Sequence, residues 1–190
     1  MADHVYTQIH DRKTLFCNCQ FDRTEAIHHT SCPGAIDEPD MNGRLGDKVV
    51  WVNVVPDRYL DRLRCANESQ CGLRIKQIGM DAHALFPLSG IIAELWSGRY
   101  YSIIPGEARM YGSCDLEVEG PRIEPGARIR GDLARAVLYM SQKYGFELTS
   151  AEKSTFDLWH SQDPPDQFEI RRNERIQRQQ GDFNTWIAAD

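Results

Sequence analysis

The sequence predicts a single α+β domain over residues 1–190, strand-rich in front and helix-rich behind, and three observations carry that reading. A β-branched run closed by proline occupies residues 48–56. Apolar side chains recur at three- and four-residue steps through residues 126–144. A capping-box sequence and a Pro-Pro break then mark two more helices toward the C-terminus.

Taken in order, Asp37-Glu38-Pro39-Asp40-Met41-Asn42-Gly43 is an acidic loop built from turn-forming residues. It leads into Lys48-Val49-Val50-Trp51-Val52-Asn53-Val54-Val55-Pro56, where β-branched residues favour an extended chain and Pro56 ends it. Residues 87–96 read as a helix with Ser89 as N-cap and Gly98 as the stop. Residues 114–119 alternate apolar and charged, as a short strand does. Through residues 126–144, Ile129, Leu133, Ala136, Val137, Met140 and Tyr144 fall on one helical face, and Gly145 follows as a cap. Thr149-Ser150-Ala151-Glu152 opens a helix from Ser150 to about His160. Pro164-Pro165 separates it from a last helix, about 166–179, closed by Gly181.

The 190 residues are 41% hydrophobic and 26% charged, enough for a sizeable core and too apolar for intrinsic disorder. The apolar stretches at 49–55 and 90–96 fall far short of the ~20 residues a bilayer span needs. With 22 Lys and Arg against 28 Asp and Glu the net charge is −6, and no third of the chain is net basic. That balance argues against a protein whose main task is gripping nucleic acid, where neutralising phosphates supplies most of the affinity.

Six cysteines stand at 17, 19, 32, 65, 71 and 114. Zinc and disulfides compete for them. Zinc sites usually show two Cys-x2–4-Cys knuckles or a knuckle plus a spaced His pair, and neither is present. The five-residue gap from Cys65 to Cys71 suits a bridge closing a short loop, so disulfides and an oxidising compartment are favoured. No basic segment followed by an apolar run follows Met1. Free thiols in a cytosolic protein are one reading; a leader replaced by Met1, in a periplasmic or secreted protein, is the favoured one.

The succession Cys17-Asn18-Cys19, Ser31-Cys32, Val50-Trp51-Val52-Asn53-Val54-Val55-Pro56, Asp81-Ala82-His83-Ala84-Leu85-Phe86-Pro87, Tyr111-Gly112-Ser113-Cys114, Arg128-Ile129-Arg130-Gly131-Asp132-Leu133-Ala134-Arg135 and Asn173-Glu174-Arg175-Ile176 resembles the bacterial endonuclease I family. The blocks run in order from Cys17 to about Ile187. The resemblance implies a ββα-metal (His-Me finger) fold and a periplasmic or extracellular, disulfide-bonded, magnesium-dependent nuclease of low sequence preference. It also implies that all six cysteines are bridged. Ile170, within Phe168-Glu169-Ile170-Arg171, replaces a cysteine of the family's Trp-Glu-Cys-Glu block. Cys65 with Cys71 is the expected pair, and the pairing among Cys17, Cys19, Cys32 and Cys114 stays open.

The family's strand motif reads Trp-Glu-His-Val-Val-Pro, with the Glu on the metal and the His as general base, and a following helix supplies a metal-binding Asn. Aligned from Trp51, the Glu becomes Val52 and the His becomes Asn53; aligned from Pro87, the Asn falls on Ala93 and a family Arg on Trp96. Val and Ala offer no oxygen to a hard cation, and an amide takes up no proton near neutral pH. No cofactor is therefore expected where the family would use Mg, and the chain is expected not to be an enzyme. The expected function is that of a pseudo-nuclease serving as an extracytoplasmic binding module, for an unknown protein or surface partner more than for DNA, with weak nucleic-acid binding as a variant.

Two alternatives stand beside it. One is an active nuclease with a site rearranged around Asp57, Asp81, His83 or Glu94, although Glu94 is turned about 100° from Ala93 on a helix. The other is an acidic decoy or inhibitor of a nucleic-acid enzyme. His83 and the pair His28-His29 read as packing and surface residues. Arg128, Arg130 and Arg135 read as internal ion-pair partners. Arg171, Arg172, Arg175 and Arg178 read as a solvated helix face and as the candidate partner or nucleic-acid contacts.

Overall fold

A computed structural model describes residues 2–33, 47–106, 111–112 and 114–187. The acidic turn expected at residues 37–43, and Ser113, lie outside them. The elements are α1 (Ala2–Val5), β1 (Val49–Asn53), α2 (Asp57–Leu60), α3 (Glu68–Met80), β2 (Leu85–Ser89), α4 (Gly90–Trp96), β3 (Tyr100–Tyr101), β4 (Leu116–Glu119), β5 (Arg122–Pro125), α5 (Arg130–Tyr144), α6 (Ser150–Gln162) and α7 (Gln167–Gln180). The architecture is mixed α+β. Two compact units form, Met1–Val52 with Phe86–Ile129, and Asn53–Leu85 with Arg130–Asp190.

In the first unit β3, β5 and β4 make a sheet in that order, β3 parallel and β4 antiparallel to β5. Gly120, at φ 54°, is the first of the two residues joining β4 to β5, a backbone angle that glycine meets without strain. The register sets Val118 opposite Ile123 and Leu116 opposite Pro125, so Leu116 and Ile123 are buried. Tyr6, Phe21 and Trp51 form an aromatic cluster, with centroids 5.2 to 6.3 Å apart, and the Trp51 indole N–H donates to Glu25. Disulfides Cys17–Cys114 and Cys19–Cys32 tie this unit across 97 and 13 residues.

The second unit is helical. Leu133, Val137 and Met140 of α5 are buried, as the apolar spacing predicts, and so are Phe156 and Trp159 of α6 and Ile176 of α7. The Thr149–Glu152 capping box is made in both directions, with Glu152 N donating to Thr149 Oγ1 and Thr149 N to the Glu152 carboxylate. Asp166 and Glu169 repeat that arrangement at the start of α7. Gly181, at φ 89°, ends α7 in the left-handed conformation expected of a capping glycine.

Two expected elements are corrected, and one observed helix is added. Residues 87–89 belong to strand β2 rather than to a helix, and α4 begins only at Gly90. Phe86, Leu88 and Ser89 are buried and the Pro87 carbonyl accepts from Leu15 N at 2.9 Å, so tertiary packing holds this stretch extended. Ser89 is the N-cap, as expected, accepting from Ile92 N. The helix expected from residue 126 begins at Arg130, because Arg122–Pro125 is strand β5 and a 3-10 turn, Ala127–Ile129, intervenes. Helix α3 has no expected counterpart at all: its Gly72 and Gly79 lower helix propensity and only Ile78 is buried.

Candidate functional site

Val52 lies half-buried on β1, and Ala93 half-buried on α4. Neither side chain carries a donor atom. Trp96, where the resemblance aligns a family arginine, is buried and stacks on Tyr101 at 4.9 Å with rings 20° apart, so this position serves packing. The magnesium implied by the resemblance needs carboxylate or amide oxygens, and the residues at 52 and 93 do not fit it.

Asn53, at the end of β1, commits both ends of its amide. Its Nδ2 donates to the Ile78 carbonyl at 2.6 Å, and its Oδ1 accepts from Val55 N at 2.9 Å. An amide held in this way braces the chain where it leaves the strand. It has no basic lone pair to remove a proton from water. Among the described residues, no group of three or more His, Cys, Asp and Glu side chains is arranged to hold a metal ion.

The other candidates are occupied or scattered. Asp81 is buried and accepts from Lys143 Nζ at 2.8 Å, Tyr144 Oη at 2.9 Å, Gln180 Nε2 at 2.8 Å and His83 N at 2.9 Å. Burial pushes its carboxyl up, but the bonds from Gln180, Lys143 and His83 outweigh that and hold it below its ordinary value. Lys143 also meets Asp182 at 2.6 Å. This network fastens α5 to the turn after α7, which is a structural task. Asp57 and Glu94 are exposed on their helices. His28 and His29 are exposed as expected; His29 Nε2 lies 2.9 Å from Asp47, and His28 is 3.9 Å from Asp22.

His83 is the packing residue the sequence suggests. It is 1% exposed, its Nε2 donates to the Asp182 carbonyl at 3.0 Å, and its ring meets Tyr139 edge to face at 4.8 Å. Burial is the main force that depresses its pKa to about 4, with Arg172 adding to it. The unfolded chain therefore takes up the His83 proton first. The resulting stability is fully present above about pH 6.5 and is lost as pH falls toward 4, by about 3 kcal/mol at most. Tm measured from pH 7.5 to 4.0 is expected to fall across that window, and His83→Gln to flatten the fall. A wild-type Tm independent of pH there would contradict the buried neutral imidazole.

All six cysteines are paired, as Cys17–Cys114, Cys19–Cys32 and Cys65–Cys71. The expected Cys65–Cys71 bridge is made, the open pairing is settled, and the zinc alternative is closed because no thiolate remains. Among the described residues no helix is long and apolar enough to cross a membrane.

The four arginines expected to share a solvated face do not. Arg172 is 2% exposed, and its guanidinium donates to the Ala82 and Leu85 carbonyls at 2.7 and 2.9 Å. Sequence spacing could not show this, because an arginine can turn inward wherever carbonyl oxygens wait for it. Arg171 and Arg175 are half-buried, and the exposed Arg178 faces Glu174 at 4.0 Å. Arg135 is an internal ion-pair partner, as expected, and Arg130 stands over the Trp159 ring at 5.6 Å.

The Endonuclease I family model matches residues 50–190. An extracellular deoxyribonuclease of Aeromonas hydrophila is 30% identical over 183 residues, covering 92% of this chain and 81% of the relative. A periplasmic deoxyribonuclease of the same organism is 30% identical over 186 residues, covering 92% and 77%. Endonuclease-1 of Buchnera aphidicola subsp. Acyrthosiphon pisum (strain APS) is 26% identical over 189 residues, covering 92% and 73%. With most of its length matched by the family and by relatives of this similarity, and with its fold mixed α+β and disulfide-bonded, the chain belongs to the endonuclease I family.

Proposed function

We propose that this chain is a non-cleaving member of its family that works as a binding module outside the cytoplasm, for a protein partner in preference to DNA. The observation that carries the reading is Asn53. It occupies the position where the family motif has its general base, and its amide is spent on the Ile78 carbonyl and the Val55 N–H. Val52 and Ala93, at the positions of the metal ligands, add no oxygen donor. General-base help alone is worth about 10²- to 10⁴-fold, and a bound metal adds charge stabilisation that these side chains cannot supply.

Three disulfides support a periplasmic or extracellular setting, which is also where two of the named relatives are placed. The preference for a protein partner rests on charge. The net charge is −6, and arginines that could grip phosphates are turned to internal carboxylates and carbonyls: Arg135 to Glu169, Arg62 to Glu152, Arg172 to Ala82.

Two measurements test the reading. Titrating manganese into the purified protein is expected to show no site tighter than millimolar, and a micromolar site would contradict it. Mobility shifts on duplex DNA across a salt series are expected to show only weak binding that vanishes by physiological ionic strength. Tight, salt-sensitive binding there would sink the preference for a protein partner.

A further inference from the structure

The three disulfides differ in what surrounds them. Cys17, Cys19, Cys32 and Cys114 are buried, so a dissolved thiol meets Cys17–Cys114 and Cys19–Cys32 only when the core around them opens. Cys65 and Cys71 are half-buried, and every residue between them, 66–70, is exposed. This bridge is therefore within reach of solvent in the folded protein.

What the bridge holds is also distinctive. Helix α3 is 13 residues long, buries only Ile78 and contains Gly72 and Gly79. Isolated helices of this length are marginal in water, because most helical stability comes from packing an apolar face. Its first turn closes where Cys71 N donates to the Asn67 carbonyl at 3.1 Å, and the bridge ties that same Cys71 back to Cys65 ahead of the helix. Asn67 Oδ1 caps the turn by accepting from Gln70 N at 2.9 Å, and Arg74 Nη1 donates to the Arg64 carbonyl at 2.6 Å and the Tyr144 carbonyl at 3.4 Å. The last turn is held in another way: Ile78 is buried, and its carbonyl accepts from Asn53 Nδ2 at 2.6 Å.

We propose that Cys65–Cys71 is a thiol-exchange site whose substrate is a small dithiol, and that its opening unwinds α3 as far as Ile78 while the other two bridges stay closed. A thiolate of the dithiol attacks one sulfur of the bridge, and the other sulfur leaves as a thiolate. The second thiol of the reductant then displaces the mixed disulfide, so the dithiol closes to its own disulfide and the protein gains two electrons and two protons as two thiols. Arg74, whose guanidinium rests on the Arg64 carbonyl beside Cys65, supplies a positive charge that favours the departing thiolate. Once the bridge is open, the first turns depend on the Asn67 cap and Arg74 alone, across a helix that Gly72 and Gly79 weaken. The burial of Ile78 and its bond from Asn53 stop the unwinding there. This chemistry uses none of the side chains at 52, 53 and 93, so it is independent of whether the chain cleaves nucleic acid.

The test treats the folded, oxidised protein with millimolar dithiothreitol in the absence of denaturant, quenches with iodoacetamide and maps the labelled cysteines by mass spectrometry. Cys65 and Cys71 are expected to be labelled first, about tenfold or more faster than the other four. In the same sample, hydrogen exchange at the amides of residues 71–77 is expected to rise by about tenfold or more, with that of α5 unchanged. The double variant Cys65→Ala with Cys71→Ala is expected to show the same fast exchange without reductant, and oxidised glutathione to restore slow exchange to the reduced wild type. Labelling of either other pair as early as Cys65 and Cys71 overturns the proposal. So does exchange at residues 71–77 that reduction leaves unchanged.

Discussion

Glu169→Ala is expected to destabilise the protein by about 3–5 kcal/mol, the cost of taking its two-pronged partner from a buried charge. Arg135 is 0% exposed and spans the second unit's core. Its Nε and Nη2 donate to the two Glu169 oxygens at 2.8 and 2.5 Å, its Nη1 to the Asp163 carbonyl at 2.5 Å, and Nη2 also to Asp132 at 3.2 Å. Burial pushes the Glu169 carboxyl up, and Arg135 pulls it back toward ionisation; burial also pushes Asp132 well up. Glu169 has a second task, since its carboxylate accepts from Asp166 N in the capping box of α7. Removing it therefore leaves Arg135 with Asp132 and the Asp163 carbonyl and loosens the first turn of α7 together. The paired change Arg135→Met with Glu169→Leu removes both charges and is expected to recover a large part of the loss. Urea denaturation of the three proteins gives the comparison. A single variant within 1 kcal/mol of wild type would show that the pair contributes nothing.

Replacing Cys17 and Cys114 together by alanine is expected to cost about 4 kcal/mol, more than removing either other bridge. The reason lies in the unfolded chain: this bridge closes 97 residues, against 13 for Cys19–Cys32 and 6 for Cys65–Cys71. Loop-closure entropy rises with the logarithm of loop length, from about 3 kcal/mol near 15 residues to about 4.7 near 100. Both sulfurs are also buried, so two alanines leave a gap in the core of the first unit. Tm values of the three double variants are expected to rank in the order of loop length, with Cys17/Cys114 lowest. A Cys65/Cys71 variant less stable than the Cys17/Cys114 one would contradict that ranking.

What the sequence made legible was local. The Thr149–Glu152 box, the glycine after α7 and the apolar face of α5 each follow from a few neighbouring residues, and each is found where it is expected. The Cys65–Cys71 bridge was legible for the same reason, as its loop is short. The partner of Cys17 was not, because it lies 97 residues away and only the fold brings it close. Residues 87–89 misled because a proline and a serine before an apolar run look like a helix start. Their extended form depends on burial and on the Leu15 N–H. Helix α3 was hidden by its two glycines, and its stability comes from a cap and a staple rather than from a buried face.

The candidate site was legible as a set of substitutions and not as geometry. The resemblance read in the sequence implies that Val52, Asn53 and Ala93 depart from the family's motif. Only the structure shows that Asn53 has a bracing task, with Ile78 and Val55 as its partners. Likewise Asp81 and Arg172 look like chemistry in the sequence, whereas His83 already reads there as a packing residue. In the structure they are buried and hydrogen-bonded within the second unit.

The most direct measurement is conversion of supercoiled plasmid to nicked and linear forms by the purified, oxidised protein in magnesium or manganese, with and without chelator. No chelator-sensitive conversion above a protein-free control is expected. Metal-dependent nicking that stays with the pure protein and disappears with chelator would contradict the proposal and favour an active nuclease with a rearranged site.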